Sequence, residues 1–180
     1  METLRKFAIH TGTYLGTKKY ERGISLPNLI IRFSLWTGEG LSQEVEGSYK
    51  NKPLFELYGE SVFGELGVLR LLQKDGWDGV WVDTYHGRGR KLFWTGLPDR
   101  TTPCSLPHEA DELYDKIRTI HGKAAGFFDV FAWRDGEFLF VEYKGENDVL
   151  RESQVQWLRS AIRAGVDPKF MVLASHKAHS

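Results

Sequence analysis

The stretch FFDVFAWRDGEFLFVEYKGE, residues 127–146, predicts a β-hairpin with charged residues near one end. Two apolar segments flank Asp135-Gly136, a dipeptide typical of two-residue hairpin turns. Asp129 lies in the first segment and Glu142 in the second, and Lys144 follows two residues after the glutamate. These charges need a physical explanation, because an unpaired carboxylate is costly to bury.

The turn fixes which residues of the two strands face each other. With the Asp-Gly pair at the turn centre, Arg134 pairs with Glu137, and counting back along both strands places Asp129 opposite Glu142. Cross-strand partners share one face of a sheet, as do residues two apart on one strand. We therefore expect Asp129, Glu142 and Lys144 to cluster on one face at one end of the hairpin.

Facing carboxylates repel each other, so a positive charge is expected beside Asp129 and Glu142. Lys144 supplies one such charge. A divalent metal is a second solution, and hard oxygen ligands favour magnesium or manganese. The alternative is that both acids lie near strand ends and form ordinary salt bridges with lysine or arginine.

A third acidic residue on an apolar surface is found in a predicted helix at 54–74. Val62, Leu66, Leu69 and Leu72 recur at spacings of three and four, and Glu65 lies on the same stripe. An acidic side chain on the core side of a helix requires a partner. Glu65 is either part of the acid cluster or paired with an arginine at a strand end.

Gln154 is a further polar residue on an apolar stripe, next to Trp157 and Leu158 in a helix predicted at 149–163. A buried amide must form hydrogen bonds. Gln154 therefore either contacts the charged cluster or caps the backbone of its own helix.

The remaining pattern predicts an α/β fold with a mixed central sheet flanked by helices on both faces. Charge order and Gly122 predict a helix at 108–121, and Asn147 or Asp148 is expected to cap the helix at 149–163. We expect three parts: an N-terminal extension at 1–53 that packs on the core, a core at 54–175, and a flexible tail at 176–180. The core contains an insertion at about 86–107. Strands are expected at 29–35, within the extension, and at 80–85 and 169–174.

Composition excludes several classes of protein. The formal net charge is zero, so the chain is not a broadly basic nucleic-acid coat, and a DNA contact requires a local patch. The segment HGRGRK is that patch, unless it is a solvated turn. The expected DNA-binding residues are His86, Arg88, Arg90 and Lys91.

The single Cys104 excludes an intramolecular disulfide and a cysteine zinc cluster, and a reduced cytoplasmic setting is expected. No apolar run approaches the ~18 residues of a membrane span, and the first residues lack the long apolar segment of a signal peptide. Trp77 and Trp94 are expected in the core rather than stacked on bases. His176 and His179 are expected in the tail rather than on a metal.

An acid on a core helix, an acid at the start of a hairpin and E-x-K on the next strand together resemble the PD-(D/E)xK nucleases. VEYKG at 141–145 and QVQWL at 154–158 are similar to the VE-x-KG and Q-x-x-W-L motifs of the VRR-NUC branch. Phe128 stands where that family usually has proline. The family's helical acid corresponds to Glu65 by its place before the first strand.

The resemblance implies a restriction-endonuclease-like core that hydrolyses DNA phosphodiester bonds with Mg²⁺ or Mn²⁺. It further implies a homodimer that acts on branched or junction DNA, as in DNA repair. Lys144 would orient the attacking water or stabilise developing charge, and Gln154 would position the lysine or the water. The metal ligands would be Asp129, Glu142, the backbone carbonyl of Tyr143 and Glu65.

Two other functions remain open at this point. The first is a non-catalytic DNA-binding or scaffold protein that retains the nuclease fold. The second is a metal-dependent hydrolase of a small phosphoester.

Overall fold

The computed structural model describes residues 12–19, 23–38, 52–83, 92–97, 102–123, 125–145 and 148–178. These residues form one sheet of nine strands, three α-helices and a short 3-10 turn at Pro168–Phe170. The strands are β1 (Gly12–Lys19), β2 (Ser25–Leu35), β3 (Leu54–Leu57), β4 (Glu60–Phe63), β5 (Asp78–Asp83), β6 (Leu92–Trp94), β7 (Val130–Arg134), β8 (Glu137–Lys144) and β9 (Met171–Ala178), and the helices are α1 (Gly64–Lys74), α2 (His108–His121) and α3 (Glu152–Arg163).

The sheet is mixed but mostly antiparallel. Its strand order is β4-β3-β2-β9-β8-β7-β5-β6, and β1 also pairs with β2. Strand β9 is parallel to both of its neighbours, β2 and β8, whereas the other pairs are antiparallel. A parallel pair needs a crossover connection, and α3 supplies it between β8 and β9. Strand β2 comes from the predicted N-terminal extension and lies inside the sheet.

Helices cover both faces of the sheet, as the sequence predicts. The leucines of α1 pack with Val130 and Val141 on one face. The alternate residues Phe131 and Phe140 point to the other face, where they pack with α2 and α3. Their rings stack with centroids 4.4 Å apart. The predicted α/β class with helices on both faces is confirmed.

The register of the β7–β8 hairpin is also confirmed. Arg134 pairs with Glu137, and the ladder continues to Val130 opposite Val141. Asp135 and Gly136 have φ angles of 49° and 78°, as a two-residue type I′ turn requires. The ladder ends one pair short of Asp129, so this residue directly precedes β7.

The prediction of a helix at 54–74 is wrong for the first ten residues. Residues 54–63 form the antiparallel hairpin β3–β4, and α1 begins at Gly64. Tyr58 and Gly59 both have positive φ angles, 54° and 84°, so the chain reverses there. Phe55 pairs with Val62 across the hairpin, which shows that these apolar residues meet as strand neighbours rather than at helical spacing.

The other element boundaries agree more closely. Helix α2 spans 108–121 as predicted, and Gly122 ends it with a φ of 68°. Helix α3 begins at Glu152, three residues late, because Asp148 accepts a hydrogen bond from the Gly145 amide at 3.2 Å and closes the turn after β8. Asp148 therefore does not cap α3, and Asn147 lies outside the described residues.

The ends of two further predicted strands also shift. Strand β5 begins at Asp78, and residues 84–85 of its predicted range lie outside the described residues. Strand β9 runs to Ala178 and so includes the first residues of the predicted tail. Parallel pairing with β2 over this region accounts for the extension, because it supplies backbone hydrogen-bond partners that a frayed tail would lack.

We expect Trp157→Ala to lower the free energy of unfolding by about 3–5 kcal/mol, because it empties the centre of the layer between α3 and the sheet. Trp157 is fully buried, and the rings of Phe128 and Phe140 lie 4.7 and 5.1 Å from it. Trp157→Phe should cost much less, since Trp157 Nε1 has no hydrogen-bond partner among the described residues. Urea unfolding followed by circular dichroism measures both variants.

Val149→Ala is the control, because the Val149 side chain is 69% exposed. Its unfolding free energy should stay within about 0.5 kcal/mol of the wild type. A Trp157→Ala variant as stable as this control would contradict the assigned core.

Candidate active site

A cleft of about 700 Å³ opens where β8 ends and helices α1 and α3 begin. All five side chains predicted to be catalytic line this cleft, although they come from two helices, one strand and the segment that precedes β7. They are Glu65, Asp129, Glu142, Lys144 and Gln154.

Glu142 is the most deeply buried acid of the cleft, with only 1% of its surface exposed. Its Oε1 lies 2.8 Å from Lys144 Nζ and also accepts a hydrogen bond from the Gln154 amide. Gln154 Oε1 in turn accepts a hydrogen bond from Lys144 Nζ at 2.8 Å. The three side chains therefore form a closed ring of contacts that fixes the position of each.

Gln154 satisfies both roles that the sequence left open. Besides the contacts with Glu142 and Lys144, its Oε1 accepts the backbone amide of Arg151 at 2.9 Å. This bond caps the first turn of α3. The start of α3 and the polar contacts of the cleft are thus held by the same side chain.

Asp129 joins the cluster through a side-chain hydrogen bond rather than through the sheet ladder. Its Oδ2 accepts the backbone amide of Tyr143 at 3.0 Å, so the carboxylate takes the place of the next ladder partner. Asp129 and Glu142 are near enough for the charge of Glu142 to raise the pKa of Asp129. The expected cluster of two acids and a lysine at one end of the hairpin is present.

Glu65 lies in the first turn of α1 and pairs with Lys52. The sequence analysis considered an arginine as the partner of Glu65, but the partner in the structure is a lysine. Helix α1 can approach β8 closely because Gly64 packs against the Tyr143 ring, where an added Cβ would lie 2.0 Å from a ring carbon. Besides burial, the negative charge of Glu65 raises the pKa of both Asp129 and Glu142. The three acids of the cleft are therefore electrostatically coupled.

The raised pKa values have a common first cause, which is burial. Burial raises the pKa of Glu142 to about 7, although Lys144 and the Gln154 hydrogen bond oppose the shift. Burial also raises the pKa of Asp129, and Glu142 and Glu65 raise it further, while the Tyr143 amide and Lys52 lower it. An acid pair that resists losing both protons is typical of sites that bind a cation.

The donor atoms of the cleft fit a hard divalent cation. Glu142 Oε2 is buried and has no hydrogen-bond partner among the described residues, so this carboxylate oxygen could serve as a metal ligand. Carboxylate and carbonyl oxygens are the preferred ligands of Mg²⁺. Within the described ranges, no group of three or more His, Cys, Asp or Glu side chains has the spacing of a complete metal site. The predicted set of Asp129, Glu142, Glu65 and the Tyr143 carbonyl remains a prediction.

Several other predicted residues lie elsewhere. The basic segment with His86, Arg88, Arg90 and Lys91 falls outside the described residues, as does His179. Trp77 and Trp94 are buried, which confirms the core interpretation over base stacking. Cys104 is not in the cleft, and burial raises the pKa of its thiol.

Lys52 and His176 are among the cleft residues that sequence reasoning did not assign to the site. Lys52 lies in a polar connection before β3, and no local pattern distinguishes it. His176 was expected in the tail, but β9 places it two residues beyond Ala174, and its Nδ1 lies 2.6 Å from the Tyr143 hydroxyl. A prediction that the last strand pairs in parallel with β8 would have placed His176 next to the end of β8, and so in the cleft.

Residues 94–174 match the family model of the VRR-NUC domain. This is a PD-(D/E)xK-like nuclease domain family, and the predicted resemblance is confirmed over that range. The mixed sheet with helices on both faces is consistent with a restriction-endonuclease-like fold. The matched range contains Asp129, Glu142, Lys144 and Gln154, whereas Glu65 precedes it.

No curated protein and no solved structure matches the chain significantly. Among the helices of the described ranges, not one has the length and apolar character needed to cross a membrane.

We expect Asp129→Asn to stabilise the metal-free protein at pH 8 by on the order of 1 kcal/mol. The raised pKa of Asp129 means that the native state keeps a proton that the unfolded chain has lost. Wild-type stability should therefore fall as pH rises above the ordinary aspartate pKa of about 4. Asparagine carries no such charge and can still accept the Tyr143 amide, so the fall should be smaller.

Thermal unfolding in EDTA between pH 3.5 and pH 9 measures this difference. Asp115→Asn is the control, because Asp115 lies on the exposed side of α2 beside Arg118. An Asp129→Asn variant that is less stable than the wild type at pH 8 would contradict the repulsion inferred for the cleft.

Proposed function

Because the chain carries a VRR-NUC domain over residues 94–174, we propose that it is a metal-dependent nuclease that hydrolyses DNA phosphodiester bonds with Mg²⁺ or Mn²⁺. The domain itself implies a nuclease-type, DNA-processing function. The observation that carries the metal-dependent mechanism is the buried Glu142 carboxylate. One of its oxygens contacts Lys144, and the other has no hydrogen-bond partner in the described part of the chain.

The proposed ligand set combines three acids with one backbone atom. A divalent cation bound there would neutralise charge on the scissile phosphate and lower the pKa of a bound water. Asp129 and Glu142 supply the central carboxylates, and the hydrogen bond from the Tyr143 amide to Asp129 fixes the peptide next to them. The ligands would be Asp129, Glu142, the Tyr143 carbonyl and, directly or through water, Glu65.

Lys144 has a separate role in the proposed reaction. Its ammonium is held by Glu142 and Gln154, each at 2.8 Å, so it has a fixed position beside the acids. A fixed positive charge stabilises the negative charge that develops on phosphate oxygens during hydrolysis, and it needs little reorganisation to do so. Gln154 acts as a positioning residue for Lys144 and Glu142.

The preferred DNA substrate follows from the family resemblance rather than from the cleft. We propose branched or junction DNA as the substrate and a homodimer as the acting species, which would present two clefts to two strands. The basic segment that joins β5 to β6 would contact the phosphate backbone. Its proposed contact residues are His86, Arg88, Arg90 and Lys91.

We expect Asp129→Ala, Glu142→Ala and Lys144→Ala each to lower the rate of DNA cleavage at least about 100-fold, because each removes a metal ligand or the stabilising charge. Cleavage of labelled linear, flap and four-way junction DNA is measured with Mg²⁺, Mn²⁺ and EDTA. Glu137→Ala and Lys169→Ala are the controls, because both residues carry the same charges outside the cleft.

Each alternative outcome has a distinct meaning. Cleavage that survives both Asp129→Ala and Lys144→Ala would place the reaction elsewhere. Wild-type protein that binds DNA but does not cleave it would support the non-catalytic DNA-binding function. Hydrolysis of nucleotides but not of DNA in the same assay would support a small-phosphoester hydrolase.

The pH dependence of cleavage gives a separate test of Gln154. Its amide donates to Glu142 and lowers the pKa of that carboxyl, so Gln154→Ala should raise it. The acid limb of the pH–rate profile should then move up by about half a unit to one unit. Gln156→Ala is the control, since Gln156 bonds Glu152 and Lys123 outside the cleft.

Loss of the helix cap alone would have a different effect. It would lower stability, and it would lower the rate equally across the pH range without moving the acid limb. A profile of that form for Gln154→Ala would limit Gln154 to a capping role.

A further inference from the structure

Lys52 is a cation of the cleft that lies outside both the E-x-K motif and the matched domain. It is in the segment that precedes β3, and its ammonium pairs with the Glu65 carboxylate. The ammonium also lies 5.2 Å from the centre of the Phe63 ring. The Lys52 side chain is 41% exposed, whereas that of Glu65 is 14% exposed. The lysine thus approaches a largely covered acid from the solvent side.

Two lysines of the cleft contact its acids from different sides. Lys144 is held by Glu142 and Gln154 on the α3 side. Lys52 is on the α1 side, where it contacts Glu65 and lowers the pKa of Asp129. Burial and the charges of Glu142 and Glu65 raise the pKa of Asp129, and the Tyr143 amide lowers it together with Lys52. Lys52 therefore places a positive charge on the α1 side of the acid cluster, where it contacts Glu65.

We propose that Lys52 is the counter-ion of the acid cluster in the metal-free protein, and that it exchanges Glu65 for a phosphate of the DNA when a divalent cation is bound. This inference rests on the proposed nuclease function and assigns a substrate-binding role to a residue of the same cleft.

Electrostatics supports the exchange. Two cations that share Glu65 at close range repel each other, and this repulsion is strong where water is partly excluded. A lysine has a flexible stem of four methylene groups and three donors, so its ammonium can change partner with little backbone movement. A DNA phosphate in the cleft would bring a negative charge to the same rim, and lysine binds phosphate well as a point charge.

Metal binding in the absence of DNA tests the counter-ion role. Isothermal titration calorimetry measures Mg²⁺ and Mn²⁺ affinity for the wild type, Lys52→Ala, Lys52→Arg and Lys74→Ala. We expect Lys52→Ala to bind the metal roughly three- to tenfold more tightly, because a competing positive charge is gone. Lys52→Arg keeps the charge and should resemble the wild type. Lys74 is the matched control, since its ammonium lies over the Tyr58 ring outside the cleft.

DNA binding tests the second half of the exchange. Fluorescence anisotropy with labelled DNA is measured in Ca²⁺, as a cation probe, over a range of salt concentrations. We expect Lys52→Ala to bind DNA roughly three- to tenfold more weakly and its salt slope to fall by about one, as for the loss of one phosphate contact. Lys52→Arg and Lys74→Ala should again resemble the wild type.

The outcomes separate this inference from the proposed function. If the wild type binds Mg²⁺ and cleaves DNA but Lys52→Ala leaves metal affinity unchanged or weaker, the exchange is overturned and the nuclease remains. Unchanged DNA affinity in Lys52→Ala also overturns it. A wild type that neither binds a divalent cation nor cleaves DNA overturns both.

Discussion

The burial of Glu142 is the constraint around which the end of the sheet is arranged. A carboxylate with 1% exposure is unfavourable in its ionised form, and burial accordingly raises its pKa to about 7. The fold offsets part of this cost with Lys144 and Gln154 on a single oxygen. The start of α3 follows from the same contacts, because the Gln154 side chain that bonds Glu142 also caps the helix.

The aromatic layer beneath the cleft provides the stability that such an arrangement requires. Phe131 and Phe140 stack across the hairpin, and Trp157 closes the layer from α3. Burial of aromatic side chains supplies a large part of the apolar area in a core. Because these residues alternate with Val130 and Val141 on the opposite face, both faces of the strands are packed against apolar side chains. A repulsive acid pair can persist at their end without disrupting the sheet.

Sequence reasoning succeeded where a local rule fixes geometry. The Asp-Gly turn sets the register of β7 and β8, and that register places Glu142 and Lys144 together. The apolar stripe of α3 likewise identified Gln154. Local rules failed at residues 54–63, where apolar spacing suited a helix but the turn at Tyr58 and Gly59 made a hairpin. Lys52 and His176 depend on contacts between distant segments, which no local pattern encodes.

The cleft therefore combines a matched core with parts supplied from earlier in the chain. Asp129, Glu142, Lys144 and Gln154 belong to the VRR-NUC match, whereas Glu65 and Lys52 precede it. The sheet itself joins these regions, because β9 pairs on one side with β8 and on the other with β2. Residues before the matched domain consequently contribute to the charge balance around its acids, since Lys52 pairs with Glu65 at the edge of the cleft.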